Sequence, residues 1–182
     1  MTWIFGYGSL MWRPGFDHLE RRPALLAGYH RAFCRYSHRH RGTPERPGLV
    51  MGLREDAEGS GTCIGVAFRV DPAREAAILA VLDGREGDGY LRLRQPVRLL
   101  DGDPEGPAPS VPAWVYVPNP AHPSYFGQAS REAIVTLVRQ GRGESGTALD
   151  YMRELVRQLD ALGVKEPELR AVLRDVEAQE TG

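Results

Sequence analysis

The chain has 182 residues, enough for one domain to bury a core without disulfides or a structural metal. Its 23 basic and 24 acidic residues nearly cancel, which argues against a general nucleic-acid or membrane-surface binder. Hydrophobic residues at 42% and charged residues at 26% are the balance of a globular chain, so disorder is excluded, and 21 Gly with 14 Pro predict many turns. Cys34 and Cys63 lie far apart, form no CxxC and allow at most one bridge, so a reduced cytoplasmic protein is the simpler reading. The first residues lack the basic and apolar regions of a signal peptide, and no apolar run approaches the ~20 residues of a membrane helix.

Trp3-Ile4-Phe5 reads as a buried strand running into the turn Gly6-Tyr7-Gly8-Ser9. Further strands are expected over Leu25–Tyr36 and Leu49–Leu53. The clearest is Cys63–Val70, with Ile64, Val66 and Phe68 in alternation. Asp71 reads as an N-cap with Pro72 at the first helical position, a helix over Ala73–Asp83, and Gly84 just past its end. Tyr90–Leu100 reads as an edge strand because of Pro96, then a Gly/Pro loop over Asp101–Pro112, then a short strand Ala113–Val117. Three helices follow. Ser130 caps the first, with Ile134, Leu137 and Val138 on one face. Thr147 with Asp150 starts the second, with a stripe of Leu149, Met152, Val156 and Leu159, and Gly163 ends it. Leu169, Val172, Leu173 and Val176 mark the third. Strands first and a helical C-terminal third give an α+β fold, with an antiparallel or mixed sheet, in a single domain over 1–182.

Common catalytic signatures fail. The glycines near Tyr7 are followed by no Gly-Lys-Ser/Thr, and Ser9 is not in G-x-S-x-G. His38 and His40 have no Cys or carboxylate cluster to complete a metal site, so no metal is expected. Nine arginines between Arg13 and Arg54, against Asp17, Glu20 and Glu45, read either as a solvated basic face or as a site for an anionic ligand. Two segments stand out. Glycines on both sides of Tyr7 allow backbone N–H groups to converge on one concavity, a nest suited to a carboxylate, although a plain sharp turn has the same sequence. Glu86 sits among glycines just beyond the expected helix end, where the helix dipole disfavours its ionised form. With partial desolvation it becomes a carboxyl able to exchange protons near neutrality, whereas in water it is one more acidic loop residue.

In order along the chain, Ile4-Phe5-Gly6-Tyr7-Gly8-Ser9-Leu10-Met11-Trp12, Gly28-Tyr29-His30-Arg31-Ala32-Phe33, His40-Arg41-Gly42-Thr43-Pro44, Leu82-Asp83-Gly84-Arg85-Glu86-Gly87-Asp88-Gly89-Tyr90 and Gly143-Glu144-Ser145-Gly146 resemble segments of the ChaC-like γ-glutamylcyclotransferases. The resemblance implies a small mixed or antiparallel β-barrel with surrounding helices. It implies a lyase that cleaves glutathione to 5-oxoproline and cysteinylglycine, with no metal or organic cofactor and no nucleic-acid, membrane or obligate protein partner. By position it gives Glu86 the catalytic role and Tyr7, Gly8, Ser9 and Leu10 the loop that holds the γ-glutamyl group. It also suggests Tyr116 and Arg41 as substrate contacts. The chain departs from the family pattern at Arg39, Glu144 and Ala148, where Asp, Pro and Asn are usual. Two other readings stay open: a cyclotransferase for other γ-glutamyl amines or amino acids, and a non-catalytic binding or regulatory module.

Overall fold

A computed structural model describes residues 1–100 and 109–179, so the Asp101–Ala108 part of the expected loop lies outside the described residues. In chain order the strands are β1 (Thr2–Gly6), β2 (Glu20–Ala27), β3 (Tyr29–Ser37), β4 (Gly48–Glu55) and β5 (Thr62–Val70). Helix α1 (Glu75–Glu86) precedes β6 (Tyr90–Leu99) and β7 (Ser110–Pro118). Helix α2 (Arg131–Gln140), the short strands β8 (Arg142–Gly143) and β9 (Gly146–Thr147), and helices α3 (Ala148–Ala161) and α4 (Pro167–Ala178) complete it. Two compact units result, one of residues 1–31 and 53–122, the other of residues 32–52 and 123–179.

The first unit is built on a closed five-stranded barrel in the order β1-β5-β2-β6-β7. Every pairing is antiparallel except the closing one, where β1 runs parallel to β7 with Trp3, Ile4 and Phe5 opposite Ala113, Trp114 and Val115. The mixed barrel inferred from the resemblance is therefore the observed architecture. Alternation along the strands sends Trp3, Phe5, Ala67, Val97, Ala113, Val115 and Val117 into the interior. Five strands enclose little space, so the large rings of Trp3 and Phe5 meet small residues. A Cβ on Gly65 would lie 2.9 Å from the tip of the Phe5 ring and 2.3 Å from the Gly6 carbonyl oxygen. Outside the barrel, α1 lays Ile78 and Leu82 on Ile4, Leu10, Val70 and Tyr116.

Several boundaries differ from those read off the sequence. The run Leu25–Tyr36 is two strands, because Gly28 at φ +78° redirects the chain between β2 and β3. Asp71 does accept the Ala73 amide at 2.9 Å, but it caps a 3-10 turn, Pro72–Arg74, ahead of α1. Helix α1 continues through Gly84 and ends at Gly87, which takes the left-handed φ of +66° and donates its amide to the Asp83 carbonyl. Glu86 is thus the last helical residue, not a loop residue. β6 is no edge: it lies between β2 and β7, and Pro96 sits opposite Pro112, just before the stretch that pairs with β2.

In the second unit, Ser130 and Thr147 cap α2 and α3 as expected, accepting the Ala133 and Asp150 amides at 3.3 and 2.9 Å. The buried stripe of α3 runs through Leu149, Met152, Leu155 and Leu159, with Leu155 in the place expected for Val156. Leu169, Val172 and Val176 of α4 are buried as expected. Exposed ion pairs join Arg131 to Asp175 at 2.5 Å and Arg153 to Glu177 at 3.0 Å. Four glycines let backbones touch. A Cβ on Gly42 or Gly48 would lie within 2.0 Å of main-chain atoms, and one on Gly141 or Gly143 within 2.6 Å of them. Among the described residues no helix is long and apolar enough to cross a membrane.

Candidate active site

The site in the first unit begins where β1 ends. Gly6 allows the chain to fold back, since a Cβ there would lie 2.8 Å from the Leu10 Cβ. Tyr7 and Gly8 lead into a 3-10 turn over Ser9–Met11, anchored by the buried Leu10 and Met11. The turn's own bonds start with the Met11 amide, which donates to the Gly8 carbonyl at 2.9 Å, so the amides of Gly8, Ser9 and Leu10 precede its first bond. The Tyr7 hydroxyl donates to the Tyr116 carbonyl at 2.9 Å, fastening the turn to β7. Arg31, 7% exposed, donates from Nε to the Tyr7 carbonyl at 2.9 Å and from Nη2 to the Ile64 carbonyl on β5.

Glu86 closes α1 beside this turn, with its side chain 16% exposed. Its Oε1 lies 3.4 Å from the Nε of Arg85. Arg85 also donates from Nη2 to the Ser9 hydroxyl oxygen at 2.8 Å and from Nη1 to the Arg13 carbonyl at 2.8 Å. One guanidinium therefore joins the turn residue Ser9 to Glu86. Three residues earlier on α1, Asp83 accepts the Tyr116 hydroxyl at 2.7 Å and Arg92 at 2.6 Å. Burial, then the bond to Asp83 and its charge, push the Tyr116 phenol well above its ordinary pKa. Tyr7, Gly8, Ser9, Leu10, Glu86 and Tyr116 all belong to this unit.

Arg41 belongs to the second unit. It is 7% exposed, donates to the Ser145 and Thr147 carbonyls, and lies over the Tyr151 ring with its guanidinium carbon 5.4 Å from the centroid. Among the arginines of the basic stretch it belongs to, only Arg31 and Arg41 are buried, and several of the others bond to the protein itself. Arg21 donates to the Met11 carbonyl, Arg22 pairs with Glu20, and Arg54 donates to the His30 ring. Among the described residues no three His, Cys, Asp or Glu side chains gather where a metal could be held.

A family model described as ChaC-like protein matches residues 2–179. The chain belongs to the ChaC-like family. It is 37% identical over 163 residues to the human protein named glutathione-specific gamma-glutamylcyclotransferase 1, covering 88% of this chain and 71% of the relative. It is 34% identical over 177 residues to the glutathione-specific gamma-glutamylcyclotransferase of Escherichia coli (strain K12), covering 96% of this chain and 72% of that protein. A crystal structure of a glutathione-specific γ-glutamyl cyclotransferase from yeast superposes with a TM-score of 0.88 over 97% of this chain and 96% of that one. At 21% identity that likeness bears on the fold.

In this ChaC-like chain two of the departures from the family pattern meet. Arg39 pairs with Glu144 at 2.9 Å on the surface of the second unit, so two residues that do not match the expected pattern answer one another in charge. The pair lines a cleft of about 450 Å³ together with His38, Thr43 and Arg142. Arg31 and Arg85 are the residues that sequence reasoning left without a role. Arg85 stood in plain view beside Glu86. Nothing in the alternation of β3 marks Arg31 as a buried clamp.

Proposed function

We propose that this chain is a γ-glutamylcyclotransferase that converts glutathione to 5-oxoproline and cysteinylglycine, with Glu86 as the proton carrier. The names of its relatives support the reaction class. The observation that carries the assignment of Glu86 is its placement, a largely buried carboxylate at the end of α1, linked through Arg85 to the turn that starts at Tyr7.

The substrate's neutral α-amine bonds to the γ-carbonyl carbon of the same molecule, closing a five-membered ring, and Glu86 takes one of the two protons of that nitrogen as the bond forms. The bond from that carbon to the cysteine nitrogen then breaks, and Glu86 returns the proton to the leaving amine. Atoms balance without water, and Glu86 ends as it began. The Tyr7–Leu10 turn holds the glutamyl chain folded so that amine and carbonyl meet. Intramolecular attack gains most from such positioning. The Gly8, Ser9 and Leu10 amides are suited to the substrate α-carboxylate and to the oxyanion of the tetrahedral intermediate. Tyr116 and Arg41 fit supporting roles, since both spend polar atoms on the protein itself. Cys34 and Cys63 are buried and outside any disulfide, which fits a reducing compartment, and we place the protein in the cytoplasm.

The test is release of 5-oxoproline from glutathione by the wild type and by Glu86→Gln, which keeps size and hydrogen bonding but cannot carry the proton. The Gln variant should be inactive with its melting temperature unchanged. Retention of more than a few per cent of wild-type turnover would remove Glu86 from the chemistry.

A further inference from the structure

We infer that Arg85 is a positioning residue that fixes the γ-glutamyl-binding turn relative to Glu86, an inference that rests on the function proposed above. Its three guanidinium nitrogens are used in three directions. Nη2 donates to the Ser9 hydroxyl oxygen at 2.8 Å, Nη1 to the Arg13 and Pro14 carbonyls at 2.8 and 3.4 Å, and Nε faces Glu86 Oε1 at 3.4 Å. Gly15 shapes this path through its conformation, since its φ of +77°, which L side chains rarely adopt, turns the chain directly after Pro14 beside the Arg85 head.

Neighbouring residues of a helix do not normally face one another. Arg85 faces Glu86 because the turn beyond β1 holds its planar head from the other side. The guanidinium therefore transmits the position of Ser9 to Glu86. At 27% exposure the Arg85 side chain is screened from water but not sealed in the core, so its loss should affect geometry more than folding. Lysine cannot replace it, because one ammonium nitrogen on a flexible stem reaches one of these partners at a time.

The experiment measures 5-oxoproline release from glutathione and thermal melting for the wild type, Arg85→Met, Arg85→Lys, Ser9→Ala and the Arg85→Met/Ser9→Ala double variant. Displacing a reacting group by about 1 Å costs on the order of 100-fold, so Arg85→Met should lose roughly that factor in kcat/KM, with about tenfold or more of it in kcat. Its melting temperature should stay close to that of the wild type. Arg85→Lys should recover only a small part of the loss. Ser9→Ala should cost activity in the wild type but almost nothing further in Arg85→Met, because the contact it removes is already gone. Arg85→Met with near-wild-type kcat and KM overturns the inference. So does full rescue by Lys, which would leave only charge at work, or losses that multiply in the double variant. Should Arg85→Met unfold, Arg85→Lys and Ser9→Ala, alone and combined, carry the same comparison. A wild type that releases no 5-oxoproline refutes the reaction, and the positioning role with it. Activity in the wild type with loss in Glu86→Gln isolates Arg85 as the point at issue.

Discussion

Replacing Arg31 by Met would test whether the turn at Tyr7 is held from below by a buried cation. The stem of Arg31 is unbranched, and Met fills much of that volume, so the substitution removes mainly the guanidinium. The hydrogen bonds to the Tyr7 and Ile64 carbonyls go with it, in a side chain 7% exposed. Bonds from a charged donor are each worth about 1.5–3 kcal/mol. Releasing the guanidinium from its own desolvation returns part of that, which leaves a net loss of about 2–4 kcal/mol. For a chain this long each kcal/mol moves the midpoint by about 2–4 °C, so a fall on the order of 10 °C is expected in a melt followed by circular dichroism. Arg39→Met, which breaks an exposed pair, is the internal control and should stay within about 0.5 kcal/mol of the wild type. If Arg31→Met melts no lower than that control, the clamp does not stabilise the turn and the reasoning fails.

Tyr116→Phe removes the hydroxyl that Asp83 accepts. Urea unfolding should show a loss of about 1–2 kcal/mol, and an unchanged midpoint would deny the bond any weight. Glu75 accepts bonds from Thr2 and Trp114 and lies near Arg94, which together hold its carboxyl below the ordinary range. A depressed carboxylate adds stability above its ordinary pKa, and that contribution disappears as pH falls through the lower folded value. The stability advantage of the wild type over Glu75→Gln should therefore be full near neutrality and shrink in acid. An advantage that grows on acidification would reverse the sign of the argument. Replacing Cys34 and Cys63 together by Ala should leave most 5-oxoproline release intact if the double variant folds, since the proposed chemistry uses no thiolate. Loss of activity in a well-folded variant would point to a covalent route.

The strands around the site were readable because apolar alternation and turn residues agreed, as in Trp3-Ile4-Phe5 before Gly6 and in Cys63–Val70. What misled was glycine. Asp83-Gly84-Arg85-Glu86-Gly87 offers two places to end a helix, and only the fold chooses which one takes a left-handed φ. α1 runs past Gly84 to Gly87, whose amide bonds to the Asp83 carbonyl, although glycine costs about 1 kcal/mol against alanine inside a helix. A lone Gly28 between apolar residues likewise gave no warning of a chain reversal. In α3, Leu155 and Val156 are equally apolar, and the direction of burial is set by the neighbours rather than by the period. Glu86 could be singled out as a candidate because it lies among Gly84, Gly87 and Gly89 next to an expected helix end. The pairing of Arg85 with Ser9 could not, because it depends on the path of the chain from Arg13 to Gly15.

The parallel pair that closes the barrel has a consequence for how the protein is made. β1, carrying Trp3, Ile4 and Phe5, leaves the ribosome more than a hundred residues before its parallel partner β7. Until then β1 exposes an apolar, unpaired edge of the kind that invites association with other chains. The Tyr7 hydroxyl bond to Tyr116 cannot form earlier either. Loop-closure entropy of this kind slows folding. The turn proposed to hold the substrate is thus synthesised long before the strand that sets it, and a chain interrupted before β7 would present a sticky strand and no site.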